Sequence, residues 1–477
     1  MEKHNSIKKN ALLNIIYKLS SMIFPLLVYP YVSRILLAEN LGKVAFFSNV
    51  TSYGLLLGSI GISTYGIRAV AKVRDDKEKL SKTVKELFLI NSVITGLVLV
   101  FLVGSLIWID KFRSNLYLLF ISMAQIAIAP LSMEWLYGGL EEYSYITKRA
   151  ILFKVISLFL IFGFVRSKED YINYALILAV SSVGNYICNF LFSRKFIYFH
   201  VHEKLELIRH LKPSLTLFAS LLAISVYTNL DSVMLGFING DHAVGLYDMA
   251  VKAKTVTLSL INAISGVLLP RLSYYVAQNA RDLYNETLKK SIRIIFMIAI
   301  PLTILLEIEA WDVIIILGGN EYVGAVSCMR IIMPILLISG FSNITGNQIL
   351  IPHGLDKYYT KAVVCGAITD VVLNILFMPK YSIYGAALAT LIAEVIQMLV
   401  QSYYSRSYLK KRFDIACIKR TILSTLITGI VVCMMKYMFS FNPFINIVLY
   451  SFIFLGIYAI LFCIFYGKKH MNYFYDS

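Results

Sequence analysis

The stretch PLLVYPYVSRILLAENLGKVAFFSNVTSYGLLLGSIGISTYGIRAVAK, residues 25–72, holds most of one apolar helix, a short polar connection and a second apolar helix with a basic end. The same layout returns in residues 231–271, where Gly245 lies 203 positions after Gly42. A helix pair that recurs at a fixed spacing indicates an internal duplication. In a membrane protein, duplicated halves are typical of transporters, with the binding site at the interface of the repeats.

The composition of the whole chain is that of a membrane protein. Of its 477 residues, 58% are hydrophobic and only 15% are charged, whereas a soluble domain is about 45–50% apolar and about 25% charged. Runs of about 20 apolar residues recur along the chain, and such runs cross a bilayer as helices. We therefore predict an all-α polytopic membrane protein with about fourteen transmembrane helices.

The predicted spans are separated by short loops. They cover residues 11–33, 44–67, 86–108, 115–137, 148–165, 172–193, 213–238, 245–270, 288–308, 325–349, 358–378, 382–403, 417–438 and 443–466. A second match, GLEEY at 139–143 and GLDKY at 354–358, follows the fourth and tenth spans. We predict an N-terminal six-helix lobe in residues 1–200, a C-terminal six-helix lobe in 201–405, and two additional helices with a short cytoplasmic tail in 406–477. Since six is an even number, the two lobes share one orientation and are related by a pseudo-two-fold axis along the membrane normal.

The formal net charge of +17 reflects orientation rather than nucleic-acid binding. Most of the 45 lysines and arginines fall on one side of the predicted topology, and an excess of Lys and Arg marks cytoplasmic loops. We predict that both termini are cytoplasmic and that residues 239–242 lie outside. The six cysteines lie in or beside apolar helices without a CxxC pair, so we expect neither disulfides nor a metal site.

Several segments of the chain resemble one family of membrane proteins. They are YPYVSRIL (29–36), the segment that begins at Gly42, YGIRAVA (65–71), EWLYGGLEEY (134–143) and the segment that begins at Gly354. Their order and spacing resemble those of the Wzx-type oligosaccharide flippases of the multidrug/oligosaccharidyl-lipid/polysaccharide exporter superfamily. The chain departs from the family's usual phrase at Gly138, where the family has glutamine.

This resemblance implies two six-helix lobes around a central cavity that opens alternately to the two sides of the membrane. The implied substrate is an undecaprenyl-diphosphate-linked oligosaccharide, moved from the inner to the outer leaflet of the bacterial cytoplasmic membrane for capsule or O-antigen synthesis. Polysaccharide polymerase or assembly proteins are expected partners. Related branches move a lipid-linked peptidoglycan precursor or export drugs, so both remain alternatives. The chain has no HExxH, GxSxG or Walker sequence, so we expect no enzyme activity and no cofactor beyond Na⁺ or H⁺ as the coupling ion.

Charged residues inside apolar spans are costly in a bilayer, so they are candidates for substrate or ion binding. Lys18, with Asn14 one turn before it, and Lys252 are predicted to line a cavity that binds phosphate; the alternative for Lys18 is snorkelling to the inner headgroups. Asp231, the Asp370 and Asn374 pair at i and i+4, and Glu394 form a separate group of carboxylates with polar neighbours. They could couple a cation, or they could neutralise a lysine or arginine of the cavity.

Arg68 and Arg271 lie 203 positions apart, at the inner ends of the second and eighth spans. A pseudo-two-fold axis would set them opposite each other at the cytoplasmic mouth, where two guanidinium groups can hold a diphosphate by forked hydrogen bonds. The alternative is that each only anchors its helix among inner-leaflet phosphates.

Three further functions fit the sequence less well than oligosaccharide transport. A cation-coupled drug exporter would need acids without cavity cations, and this chain has both. A membrane glycan polymerase or glycosyltransferase usually carries catalytic residues on sizeable outer loops, and the predicted outer turns are short. A scaffold would not need charged residues in several spans.

Overall fold

The computed structural model describes residues 7–198, 204–410 and 412–466, and the described chain is helical, without a β-strand. The helices are α1 Ile7–Ser59, α2 Ile62–Val73, α3 Lys77–Ser105, α4 Asp110–Ser114, α5 Leu116–Ile128, α6 Glu134–Gly139, α7 Tyr143–Phe164, α8 Tyr171–Ser193, α9 Ile208–Ile238, α10 Asp241–Ala277, α11 Arg281–Ile308, α12 Ala310–Gly318, α13 Ala325–Ile332, α14 Ile335–Asn343, α15 Asp356–Leu409, α16 Ile415–Met438 and α17 Pro443–Tyr466.

Eleven stretches of these described helices are long and apolar enough to cross a membrane, judged by length and composition. Two of them contain a sharp kink that joins two helices, at Leu37 in α1 and at Ser382 in α15, where φ is 62° and 48°. Each was predicted as a pair of separate spans. Helix α7, predicted as the fifth span, is not among the eleven, and it carries three basic residues within 22 positions. The predicted all-α membrane fold is confirmed, and the count of fourteen spans stays a prediction.

Exposed apolar side chains show which surface of a helix faces lipid. On α3, the side chains of Val93, Leu97, Val100 and Phe101 are between 63% and 71% exposed. Positions at this spacing lie on one face of a helix. An apolar face left this exposed in water would be unfavourable, so it is a lipid-facing surface.

The chain divides into two compact units, Met1–Gly245 and Leu246–Ser477. One hydrophobic cluster of the first unit is built by α2, α3 and the residues around α6, with Ile62, Leu87 and Met133 fully buried. In the second unit, Tyr450 and Phe454 of α17 pack with Val432 of α16 and Leu305 of α11, which attaches the last two helices. The predicted lobe boundaries at 200 and 405 stay a prediction.

The segment from Lys204 to His210 is fixed to the first unit by one buried carboxylate. Glu86 of α3 has no exposed surface, and its oxygens accept hydrogen bonds from the backbone N–H of Glu206 (2.7 Å), from Arg209 Nη2 (2.6 Å) and from His210 Nε2 (2.8 Å). His210 Nδ1 in turn lies 2.9 Å from the hydroxyl of Tyr65 on α2. A single side chain therefore holds the start of α9 against α2 and α3.

The glycines singled out by the sequence repeat meet inside the first unit. A Cβ on Gly42 would lie 1.8 Å from the carbonyl oxygen of Asp241 and 2.8 Å from the nitrogen of Gly245. A Cβ on Gly245 would lie 2.0 Å from the carbonyl oxygen of Ala38. Ala38 and Asp241 are themselves 203 positions apart, so the contact is reciprocal, as a local two-fold relation between the segments requires. Small residues four apart allow helix backbones to approach this closely in membranes.

The fourth predicted span is interrupted in the structure. Helix α5 ends in a 3₁₀ turn, Ala129–Ser132, and Met133 then takes a left-handed conformation with φ of 38° before α6 begins. Pro130 cannot donate a backbone hydrogen bond, which favours a break in the helix at this point. The break brings Ser132 and Glu134 to the edge of the cavity described next.

Candidate functional site

Each unit contains a polar cavity among its apolar helices. In the first unit, a cavity of about 250 Å³ lies between α1, α7, α8 and the break before α6; we call it the cationic cavity. It is lined by Tyr17, Ser21, Ser132, Glu134, Arg149, Ala150, Lys154, Ser181, Ser182, Asn185, Tyr186 and Asn189. Polar groups at this density inside a bilayer are expected only where they meet a ligand, water or each other.

Arg149 of α7 is held in place inside the cationic cavity. Its side chain is 8% exposed, Nε donates to Asn185 Oδ1 at 2.8 Å, and Nη2 lies 3.4 Å from Glu134 Oε1. The guanidinium also lies over the ring of Tyr145, 5.3 Å from its centre. Nη1 is buried and has no hydrogen-bond partner among the described residues, so it is free to donate to an anionic ligand.

Lys154 lies one turn further along α7 and adds a second cation. Its Nζ donates to the hydroxyls of Ser20 (3.0 Å) and Ser21 (2.7 Å) and lies 5.3 Å from the ring centre of Tyr17. Two cations and the single carboxylate of Glu134 leave the lining with a net positive charge. Such a lining favours a ligand that carries negative charge.

A second cavity of about 440 Å³ shares Tyr17, Ser132 and Glu134 with the cationic cavity and extends to α2. Ile67 lines it, and Arg68 follows as an exposed residue of α2. Polar side chains of α1, α2, α6 and α7 therefore line these two adjoining cavities.

The second unit contains a cavity of about 310 Å³ that we call the amide cavity. It lies between α10, α14, the segment after α14, and α15, and it is lined by Leu258, Asn262, Ser265, Gly266, Leu269, Ser339, Ser342, Asn343, Asn347, Tyr359, Glu394, Gln397 and Gln401. The ionisable groups in this lining are Tyr359 and Glu394. Its walls therefore offer mainly hydroxyl and amide donors and acceptors.

A π-helix, Ile344–Leu350, shapes the amide cavity. Asn343 Nδ2 donates to Asn262 Oδ1 at 2.6 Å, and Thr345 Oγ1 donates to Gln401 Oε1 at 2.8 Å. π-Helices are rare and occur mostly at functional sites. Ser342 Oγ and Gln397 Oε1 line the cavity, are buried and have no partner among the described residues, so both remain able to bind a ligand.

The structure places the predicted cations in different environments. The side chains of Lys18 and Asn14 lie outside the described part of the chain. Lys252 is half-buried on α10, and Arg271 is exposed at the end of the same helix. Arg271 Nε donates to the hydroxyl of Tyr275 at 2.8 Å.

The predicted acids are buried. Asp231, on α9 in the first unit, is 4% exposed, and Asp370 and Asn374, on α15 in the second unit, are fully buried. Glu394 is 7% exposed and lines the amide cavity. Among the acids proposed from the sequence, Glu394 is thus the one that joins a described cavity.

Sequence reasoning missed Arg149 and Lys154, the two cations of the cationic cavity. Both lie in the predicted fifth span, where two basic residues inside an apolar run were themselves a signal. The Glu134 carboxylate lies beside the Arg149 guanidinium, because the break after Pro130 turns this residue toward α7.

Comparison with known proteins identifies a matching family and several similar proteins. Residues 7–276 match the family described as polysaccharide biosynthesis protein. A protein of Escherichia coli (strain K12) assigned as an O-antigen transporter is 24% identical over 400 residues, 82% of this chain and 94% of the relative. A protein of Haloferax volcanii assigned as the low-salt glycan biosynthesis flippase Agl15 is 22% identical over 223 residues, 46% of this chain and 47% of the relative.

A solved structure described as the lipid II flippase MurJ in an inward closed conformation is similar in fold. The TM-score is 0.77, at 16% sequence identity, and the match covers 95% of this chain and 99% of that protein. At this identity the likeness concerns the fold alone, and it agrees with the predicted all-α membrane fold.

Proposed function

Because the chain belongs to the polysaccharide biosynthesis protein family, we propose that it is a flippase that moves a lipid-linked oligosaccharide across a membrane. The relatives are assigned as transporters and a flippase rather than as enzymes. The chain would thus be a multi-pass membrane transporter whose polar cavities accept the head group of an amphipathic substrate.

The amide cavity is the observation that carries this proposal. Sugar hydroxyl groups are both donors and acceptors, and a lining of asparagine, glutamine and serine side chains offers both partners. A cavity for lipophilic cations would instead combine apolar or aromatic walls with acids. The lining includes the carboxylate of Glu394 but is dominated by amides and hydroxyls, which favours an oligosaccharide over a cationic drug.

The cationic cavity supports a finer proposal, that the substrate carries an undecaprenyl diphosphate. A diphosphate needs positive charge and donors, and Arg149 offers both from a buried position. Polysaccharide polymerase or assembly proteins are the partners proposed for the product. Lipid-linked peptidoglycan precursor has the same diphosphate and remains the second candidate substrate.

Deleting the gene tests the function directly. A flippase deletion strain should accumulate the lipid-linked oligosaccharide on the inner leaflet and lose surface polysaccharide, measured by mass spectrometry of extracted lipids and by surface staining. Plasmid-borne wild-type protein should reverse both. Unchanged lipid-linked intermediates together with increased drug sensitivity would instead identify an exporter of drugs.

Conservative replacement of the two repeat-related arginines tests whether they bind the diphosphate. Arg68→Lys and Arg271→Lys keep the charge but lose the forked donor geometry. If each guanidinium binds the diphosphate, each variant should export about tenfold more slowly, since a charge-assisted hydrogen bond contributes about 1.5–3 kcal/mol. Export is measured at matched protein level. Normal surface polysaccharide in the Arg68→Ala/Arg271→Ala double variant would show that both only anchor their helices.

We also propose that Na⁺ or H⁺ drives transport through Asp231 or the Asp370 and Asn374 pair. Both sites are carboxylates buried in a bilayer-spanning segment, where ionisable groups usually serve transport. Asp370→Asn should slow transport several-fold in vesicles with an imposed gradient and leave little dependence on that gradient. Normal gradient-driven transport by Asp231→Asn and Asp370→Asn would assign both acids a structural role.

The proposed site of action is the bacterial cytoplasmic membrane, with both termini inside. Asp241 is a poor reporter of the outer side, because its carboxylate lies 2.5 Å from Lys111 Nζ and is 15% exposed. The neighbouring His242 is exposed, as is Asp75 in the connection after α2. A membrane-impermeant thiol reagent should label His242→Cys in intact cells of a cysteine-free variant and should not label Asp75→Cys. The opposite pattern would reverse the topology.

A further inference from the structure

Another polar cavity lies at the end of the second unit that carries the predicted cytoplasmic loops. Its volume is about 360 Å³, and it shares no lining residue with the amide cavity. Four segments contribute to it: the end of α10, the start of α11, the loop before α15, and the end of α15 with the residues that follow. None of its residues was singled out from the sequence as a binding residue.

The charge of this cavity is positive. Arg281 and Arg412 line it, and no aspartate or glutamate is among its described lining residues. It also lies at the first residues of α11, a helix of 28 residues. The backbone N–H groups at a helix N-terminus add partial positive charge and favour a bound anion.

Arg412 is fixed in place rather than free at the surface. Nη2 donates to Asn285 Oδ1 at 2.5 Å, Nη1 donates to the carbonyl oxygen of Tyr408, and the guanidinium lies 5.7 Å from the ring centre of Tyr284. A guanidinium has five N–H donors, so donors remain for a ligand. Burial of the guanidinium lowers the pKa of Arg412.

The remaining wall is aromatic and rigid. The rings of His353 and Tyr408 pack with centroids 4.1 Å apart, and His353 Nδ1 donates to the carbonyl oxygen of Ile349 at 2.8 Å. Tyr284 is buried, and its hydroxyl donates to the carbonyl oxygen of Gln348 at 2.9 Å. These contacts link the cavity wall to the π-helix that shapes the amide cavity. Arg412 is thus held against a fixed frame, as a specific site requires, and Arg281 adds a second cation from the first turn of α11.

We propose that this cavity binds a phosphoryl group at the cytoplasmic end of the second unit. Two arginines, a helix N-terminus and no lining carboxylate match the charge and the acceptor oxygens of a phosphate or diphosphate. The group can belong to a lipid headgroup of the inner leaflet or to free phosphate, and the two sources present the same chemistry. Phosphoryl binding at this cavity is separate from the proposed flippase activity, because it can be measured without transport.

Binding of inorganic pyrophosphate to the full-length purified protein tests the site. Equilibrium dialysis with radiolabelled pyrophosphate should give about tenfold weaker binding for Arg281→Gln than for wild type, because one charge-assisted contact is lost. Arg406→Gln is the matched control: Arg406 is an exposed arginine of α15 that lies over the ring of Tyr403, 4.7 Å from its centre, and does not line the cavity. Arg412→Gln should weaken pyrophosphate binding similarly. If the Arg412→Gln protein fails to fold, Arg281→Gln alone still tests the site.

A second arm separates the sources. The protein is reconstituted in nanodiscs of phosphatidylcholine with or without phosphatidic acid, and pyrophosphate binding is measured again. Phosphatidic acid should weaken pyrophosphate binding about tenfold if a lipid headgroup occupies the site, and unchanged binding would assign it to free phosphate. Pyrophosphate binding that is absent in wild type, or equal in wild type, Arg281→Gln and Arg412→Gln, would overturn the proposal.

Discussion

Replacing Gly42 with alanine is expected to disrupt the folded protein and to abolish export. The added methyl group would lie 1.8 Å from the carbonyl oxygen of Asp241. The obstacle is backbone, so no side-chain rotation can relieve it. Overpacking of a tight contact costs about 1–3 kcal/mol and occasionally more, and we expect the upper end here, at least about 3 kcal/mol. Gly245→Ala should behave alike, because its Cβ meets the carbonyl oxygen of Ala38 at 2.0 Å.

Unfolding of the purified protein in detergent, followed with export in cells, measures this effect. Gly96→Ala is the matched control, because a Cβ at Gly96 in α3 has no atom within 4 Å. The control should unfold and export as wild type does, or be slightly more stable, since alanine is the better helix former. A Gly42→Ala protein that matches Gly96→Ala in both measurements would show that the two segments do not need this close contact.

Replacing Glu86 with alanine is expected to have the second large effect. The change removes the carboxylate that accepts hydrogen bonds from three donors. Two of these donors, the backbone N–H of Glu206 and His210 Nε2, hold the segment at the start of α9. Removing one partner of a buried ion pair typically costs about 3–5 kcal/mol. We expect a loss of this order in the free energy of unfolding, with cleavage by added protease concentrated at residues 204–210.

The position of the carboxylate, rather than its charge alone, decides this outcome. Glu78→Ala removes an exposed carboxylate from the first turn of the same helix and should cost less than about 1 kcal/mol. Glu86→Gln keeps one acceptor oxygen and should fall between the two. Equal stability and equal protease resistance in Glu86→Ala and Glu78→Ala would contradict the anchoring role.

Much of the fold could be predicted because apolar runs and their breaks are local properties of the sequence. The predicted spans at 417–438 and 443–466 nearly coincide with α16 and α17. The repeat also identified Gly42 and Gly245, and the structure supplies the physical reason, since each is pressed against backbone. The kinks at Leu37 and Ser382 join helices that were predicted as separate spans, because each junction is made by a single residue with positive φ rather than by a loop.

The candidate site could be predicted only in part, because the sequence does not show which helices face each other. Glu394 was noted as a charged residue in an apolar span, and the packing of α14 on α15 brings Asn343 and Asn347 to the same cavity. Arg149 gained its importance only from Asn185 and Glu134, which lie on other helices. The same reason explains Glu86, whose partners follow it by more than one hundred residues.

The 3₁₀ turn Ala129–Ser132 and the π-helix Ile344–Leu350 occupy corresponding places in the two repeats. The offset of 215 that aligns Gly139 with Gly354 also places Ala129 on Ile344. A 3₁₀ turn is wound more tightly than an α-helix and a π-helix more loosely, so the two aligned segments depart from α-helical winding in opposite directions. We therefore expect a chimera in which the first segment replaces the second to set the following helix in a different register.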